Sequence, residues 1–331
     1  MSAESALLLG RSDVARLLTR EDCMAAVEHA FRLLGEGKAP APGVLGVHCR
    51  GGGFHIKAGL LNLKSHYFAA KVNANFPQNP DRFGLPTIQG VIVLSDAEDG
   101  RLLAVLDSME ITARRTAAAT AVAAKYLARR DSTILTICGC GQQGRAQVRG
   151  LAGLFSMAKI FAYDTKAGDA QRLAEELGEE LKIEVVPVAD LGAAVRKSDI
   201  CVTCTPSRQP LLTIDDVAPG TFIAAVGADH PEKQELDPVL MAGSKVVVDS
   251  LEQCATIGDL HHAMAAGVME RTKVHAELGE VAAGKRPGRT SAEEIVIFDS
   301  TGIALQDVAA AAVVYEKAQR ERHIRRFDFT A

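Results

Sequence analysis

The chain has 331 residues, enough for two domains at roughly 150 residues each. A hydrophobic fraction of 47% with a charged fraction of 24% excludes wholesale disorder. The formal charge of -4, from 37 basic and 41 acidic residues with no long run of either sign, gives no basic field for nucleic acid.

Aromatics make up only 5% of the chain, without Trp, against 29 Gly, so an aliphatic core with tight helix-to-sheet packing is expected. The first bulky apolar run, Leu7 to Leu9, lacks a basic flank and is too short for a signal peptide or a span. The chain therefore reads as cytoplasmic, with no membrane partner. Thr19 and Asp22 cap a helix over 20–36, whose apolar residues recur at helical spacing until Gly37 and Pro40 end it. Short extended runs follow at 54–58, 67–72, 89–94 and 102–106, with a hairpin signal at Asp99-Gly100.

An Ala-rich helix is expected over 108–128. Beyond it the pattern changes to aliphatic strands at 133–138, 159–163, 183–186, 200–203, 222–225, 245–248 and 295–298, separated by amphipathic helices. Near-continuous apolar strands alternating with helices signify a parallel sheet covered on both faces, hence an α/β, Rossmann-like doubly wound domain. A last helix is expected over 303–323. The seven Cys are odd in number and scattered, which argues against a disulfide scaffold. Cys201 and Cys204 have CxxC spacing inside an apolar run with no second pair, so they read as structural thiols, and no metal is expected.

The most specific local signal is Ile137-Cys138-Gly139-Cys140-Gly141-Gln142-Gln143-Gly144, between a strand and a helix. Gly139 suits the tight turn, Gly141 the approach of a pyrophosphate, and Gly144 close packing of helix on strand. Helix amides opening at Gln142 and Gln143 would meet the phosphates. Asp164, twenty residues beyond Gly144, ends the next strand, where a carboxylate accepts from the ribose hydroxyls and repels a 2'-phosphate. NAD is favoured over NADP.

Two further loops follow strands at the carboxyl edge. Thr205, in Cys204-Thr205-Pro206-Ser207, is either a cofactor contact or a loop cap. Asp229, in Val226-Gly227-Ala228-Asp229-His230, is the first choice for proton transfer, with His230 as its rival. Lys71, near the end of an apolar strand, and Arg115, in a helix made largely of Ala, are two cationic anchors for an acidic or zwitterionic substrate, or else internal ion pairs.

Taken in order, Lys71-Val72-Asn73 with Asn79-Pro80, the run from Gly84 to Gly90, Thr112 to Ala118, the Gly139 to Gly144 loop, Gly227-Ala228-Asp229 leading to Lys233-Gln234-Glu235-Leu236, and Ser300-Thr301-Gly302 form a recognisable set. With them the chain resembles, over nearly its full length, the ornithine cyclodeaminase and mu-crystallin family, which includes archaeal-type alanine dehydrogenases and cyclic imine or ketimine reductases. The resemblance implies an NAD-binding domain over 119–305 and a substrate-binding and dimerisation domain over 1–118, rejoined by a helix in 306–331. That second domain is of α+β type and makes a homodimer by joining sheets.

By the same resemblance Asp229 is the acid or base, while Lys71 and Arg115 hold the substrate; read from the residue itself, Lys71 also counts as catalytic, since a lysine there can polarise a carbonyl or imine. Thr87, Thr116, Thr205, Val226, Gly227, Lys233 and Ser300 join the Gly-rich loop and Asp164 around the cofactor. Ornithine-cyclising members carry a substrate arginine in the region of Pro42 to His48, which has none here; Arg50 or Lys57 is the replacement. The implied activity is NADH-dependent reduction of a small, pyrroline-2-carboxylate-like imino acid. Cyclodeamination of ornithine, oxidative deamination of alanine and a non-catalytic, crystallin-like role are the alternatives.

Overall fold

The computed structural model describes residues 5–329. The chain divides into two compact units, one from the residues up to Arg115 together with those from Ile303 onward, the other spanning Thr116–Gly302. The ends of the expected domain bounds, 1–4 and 330–331, lie outside the described residues.

The first unit is built on a mixed sheet. Its strands are β1 (Ala6–Leu9), β2 (Gly43–Cys49), β3 (Gly52–Asn62), β4 (His66–Asn75), β5 (Ile88–Asp96) and β6 (Leu102–Asp107). They stand in the order β1-β6-β5-β4-β3-β2, with the C-terminal strand Arg325–Phe327 outside β1. Leu7 and Leu9 are buried because β1 lies inside this sheet, parallel to β6, with the C-terminal strand antiparallel on its other side. The β5–β6 turn closes as Asp99-Gly100 predicts: Gly100 sits at φ +78, and Asp99 accepts the Arg101 amide at 2.9 Å.

The helix Arg20–Gly35 starts where Thr19 accepts the Asp22 amide at 3.1 Å. It packs on the helix Ala304–Ala318, which covers β3 and β4. Gly59 permits the close approach, since a Cβ there would stand 3.0 Å from Leu305 Cδ2. That last helix ends at Ala318, short of the expected 323. Arg320, Glu321 and Arg322 are charged and offer no apolar stripe to bury, and the chain turns instead to pair with β1.

Pairing across the first sheet puts Val44, Lys57, Lys71, Ile92 and Leu106 in one row. Ile92 and Leu106 are fully buried under the helices, so this row faces inward.

The second unit holds β7 (Ile134–Cys138), β8 (Lys159–Tyr163), β9 (Glu184–Pro187), β10 (Ile200–Thr203), β11 (Arg208–Leu212), β12 (Phe222–Ala225), β13 (Gln234–Leu236), β14 (Lys245–Val248), β15 (Ala276–Glu277) and β16 (Val296–Asp299). The expected strands at 159–163, 200–203, 222–225 and 245–248 match residue for residue. Eight strands form one parallel sheet in the order β15-β14-β16-β12-β10-β7-β8-β9, while β11 and β13 form a small parallel pair. The sheet is doubly wound: the chain runs from β7 outward through β8 to β9, then returns to lay β10 on the other side of β7. The switch point between β7 and β10 is where such sheets receive ligands.

Burial pushes the Cys201 and Cys204 thiols up, which keeps them protonated. No helix among the described residues is long and apolar enough to cross a membrane.

Candidate active site

In the first unit the inward row delivers Lys71, only 3% exposed, to the first turn of the Ala304–Ala318 helix. Its Nζ donates to Asp307 at 2.8 Å and reaches Thr112 Oγ1 at 3.4 Å. Arg115 is also buried; its Nε donates to the same Asp307 Oδ1 at 3.1 Å and its Nη1 to Gln306 Oε1 at 2.8 Å. One carboxylate thus bridges two buried cations, with Lys57 beside Lys71 on the next strand.

Burial, then the Arg115 charge, pulls the Lys71 ammonium down to about 7, with Asp307 acting the other way. Against the upward push of burial, Lys71 and Arg115 hold the Asp307 carboxyl below its usual range. The cluster carries a surplus of positive charge, which suits a carboxylate ligand.

Of the two replacements considered for the early arginine, Lys57 stands in the Lys71 row. Arg50 lies exposed at the β2–β3 turn, roughly 20 Å along the strands from that row at about 3.3 Å per residue. Val44 occupies the β2 position of the row. Gln306 and Asp307 belong to no motif singled out in the sequence; the available signal was a polar pair just before the apolar run Val308 to Val314 of the helix. Thr87 precedes β5, half-buried, and its carbonyl accepts the Phe76 amide at 2.8 Å.

In the second unit the Gly-rich loop leaves β7 at the switch point. Gly139 takes φ +103, and a Cβ there would stand 2.9 Å from the Cys204 carbonyl oxygen on the neighbouring loop. A Cβ on Gly144 would overlap the Gly139 carbonyl oxygen, so the helix can pack this closely on the loop only with glycine. Over Gly141 a Cβ would meet no protein atom. That open space lies at the start of the helix Gln142–Ala152, whose first turn has backbone amides without helical partners. The arrangement fits a dinucleotide pyrophosphate.

Asp164, half-buried after β8, accepts the amides of Cys140 at 2.8 Å and Lys166 at 2.9 Å, which ties the Gly-rich loop to the strand end where a ribose would lie. Thr116 is buried on the helix Ser108–Leu127. The Thr205 hydroxyl donates to Glu235 at 2.7 Å and accepts the Ser207 amide at 3.2 Å, so it acts as a loop fastening. Val226 donates its amide to the Thr203 carbonyl at 2.9 Å, and Gly227 donates to Glu235 at 2.9 Å. Asp229, 51% exposed at its side chain, accepts from Lys233 Nζ at 2.6 Å. Its neighbour His230 accepts the Glu232 amide at Nδ1. Ser300 is buried and donates to Asp249 at 2.9 Å.

A doubly wound parallel sheet with a Gly-rich loop opening a helix at its switch point defines a dinucleotide-binding class of protein. The chain belongs to the ornithine cyclodeaminase/mu-crystallin family, whose profile matches residues 4–322. It is 41% identical to the alanine dehydrogenase of Archaeoglobus fulgidus over 94% of this chain and 95% of that one. A solved archaeal alanine dehydrogenase dimer with bound NAD superposes with a TM-score of 0.93 at 39% identity, covering 98% of this chain and 99% of that one. The pyrroline-2-carboxylate reductase of Thermococcus litoralis, solved with NADH and L-proline, gives 0.90 at 36% identity, covering 95% and 97%. The iminosuccinate reductase of Paracoccus denitrificans, solved with NAD+, gives 0.90 at 32% identity, covering 98% and 99%.

Proposed function

We propose that this protein is an NAD(H)-dependent oxidoreductase of small 2-amino and 2-imino acids, working chiefly as a reductase of a pyrroline-2-carboxylate-like imine. The observation that carries the reading is the buried bridge of Lys71 and Arg115 through Asp307: two desolvated cations held by one carboxylate. The NAD-bound and NADH-bound relatives support the choice of cofactor, and Asp164 supports it from this chain. When bound, NADH supplies hydride to the carbon of a C=N bond.

The protein's own groups then have separate tasks. The backbone around Gly139, Gly141, Gln142, Gln143 and Gly144 holds the pyrophosphate, and Asp164 the ribose. Lys71 and Arg115 hold the substrate carboxylate, fixing the imine for attack. Asp229, held by Lys233, is the group that gives a proton to the substrate nitrogen in reduction and takes it back in oxidation. Run oxidatively, the same groups convert an amino acid to its imine, with NAD+ taking the hydride, and water then hydrolyses the imine to a 2-oxo acid and ammonium; the 41% identity to an alanine dehydrogenase favours this as the second reading.

The assembly follows from the outer face of the first sheet. Leu45, Val47, Phe54, Phe68 and Val91 alternate with the inward row and are 37–57% exposed, an apolar face that a second copy of the chain would cover. The dimer reported for the archaeal relative supports this.

A substrate panel separates the reactions. NADH should be consumed fastest with 1-pyrroline-2-carboxylate and more slowly with pyruvate plus ammonium. Ornithine conversion to proline without net NADH consumption as the fastest reaction would replace this reading with cyclodeamination.

A further inference from the structure

Glu235 lies on β13, outside the large sheet, and is fully buried. Its Oε1 accepts the Thr205 amide at 2.6 Å and the Thr205 hydroxyl at 2.7 Å. Its Oε2 accepts the Thr203 hydroxyl at 2.7 Å and the Gly227 amide at 2.9 Å. An ionised carboxylate is acceptor-only and offers about four such positions, so these four donors occupy it fully.

Thr203 and Thr205 belong to the end of β10 and its loop, and Gly227 to the loop after β12. One side chain therefore ties together two neighbouring loops at the carboxyl edge of the sheet. Gly227 is also explained: a Cβ there would overlap the Thr205 carbonyl oxygen and stand 2.5 Å from Glu235 Oε1.

Glu235 is held in turn by buried acids: Asp259 fixes the backbone that bears Glu235, Asp299 the backbone that bears Asp259, and Asp249 the turn that follows Asp299. Asp259 accepts the amides of Glu235 at 2.8 Å and Leu236 at 2.9 Å. Asp299 accepts those of Asp259 at 3.3 Å and Leu260 at 2.9 Å. Asp249 accepts the Gly302 amide at 2.6 Å and the Ser300 hydroxyl. Burying carboxylates is costly, and simple packing gives no reason for so many. What they share is that each one pins a loop or strand end.

We propose that Glu235 is a positioning residue of the nucleotide site, setting the spacing of the Thr205 and Gly227 loops so that the cofactor fits between the Gly-rich loop and these two. The inference rests on the NAD(H) reading above.

Glu235→Gln tests it, because each carboxylate oxygen receives one backbone amide hydrogen that cannot turn away. Whichever way a glutamine faces, its NH2 opposes one of the two, and one loop is released. Fluorescence titration should then show the NADH dissociation constant rising about tenfold or more, with kcat at saturating NADH within about threefold of wild type. Calorimetry of the ligand-free variant reports whether it is folded. Should that variant not fold, Thr203→Val decides: it removes one hydroxyl donor while keeping the strand residue's shape, and NADH affinity should fall about two- to fivefold. Unchanged NADH affinity in a folded Glu235→Gln, or in Thr203→Val where that is the variant read, overturns the proposal. So does a loss of kcat without a change in NADH affinity. A wild-type protein that binds no NADH overturns both this and the reading it rests on, whereas wild-type binding with indifferent variants overturns this alone.

Discussion

Asp307 is the residue on which the substrate cluster turns. Its negative charge favours the Lys71 ammonium, while burial and Arg115 disfavour it, and the balance leaves Lys71 near 7. Above that value the ammonium loses its proton and with it the attraction for a carboxylate, so kcat/KM should fall as pH rises through about 7. Asp307→Asn removes the charge that holds the proton on, which lowers the Lys71 value further and moves the fall to more acid pH. At pH 7.5 we expect at least about a tenfold loss of kcat/KM. A pH–rate profile in which the fall keeps its place in Asp307→Asn would contradict the assignment. Asp229 is separable from this cluster. Asp229→Asn should leave NADH affinity nearly unchanged and lower turnover about 10² or more, while His230→Asn is milder; equal losses in single-turnover measurements would pass the proton to another group.

Among individual residues, those marked by pattern were legible in the sequence. Gly139, Gly141, Gly144 and Asp164 announce themselves by spacing, since a tight turn and a strand-end carboxylate need fixed intervals. Asp307 did not, because its partner is distant in sequence, Lys71 lying 236 residues away, and Glu235 was legible only as a member of the Lys233 to Leu236 run, with no role attached, its partner Thr203 lying 32 residues away. A carboxylate whose role is to join remote segments leaves no local period to read. For Thr205 the sequence left a cofactor contact and a loop cap open; its hydroxyl bonds to Glu235 and Ser207 fasten the loop.

At the scale of elements, the parallel strands β7, β8, β9, β10, β12, β14 and β16 were readable from their aliphatic runs, whereas the parallel β11, β13 and β15 were not. The edge strand β2 was not, since Gly43 and Gly46 break up its short apolar run and all seven residues are exposed. The C-terminal strand escaped for a similar reason, being short, charged and defined only by its pairing with β1. The packing of the Gln142–Ala152 helix on its loop gives an element-level prediction. Gly144→Ala places a methyl against the Gly139 carbonyl, so the helix must shift away from the loop. We expect NADH binding to weaken at least about tenfold, with a lower melting temperature, in parallel titration and calorimetry. Retention of wild-type affinity would show that the phosphate does not rest there.

For the whole molecule, the proposed covering of the apolar outer face of the first sheet by a second copy is tested by the mass in solution. Light scattering at micromolar concentration should give about twice the chain's 35.1 kDa, or a multiple of it, and Phe68→Glu should shift the protein toward monomer. A wild-type monomer would refute the assembly while leaving the chemistry standing.

The chemistry itself is tested most directly by following the transferred hydrogen. With NADH fully deuterated at nicotinamide C4 and 1-pyrroline-2-carboxylate as substrate, mass spectrometry of the proline formed should show a single deuterium at C2, in step with NADH consumed. Proline without deuterium, or no turnover of the imine by protein that binds NADH, would contradict hydride transfer to a C=N bond as the function of this site.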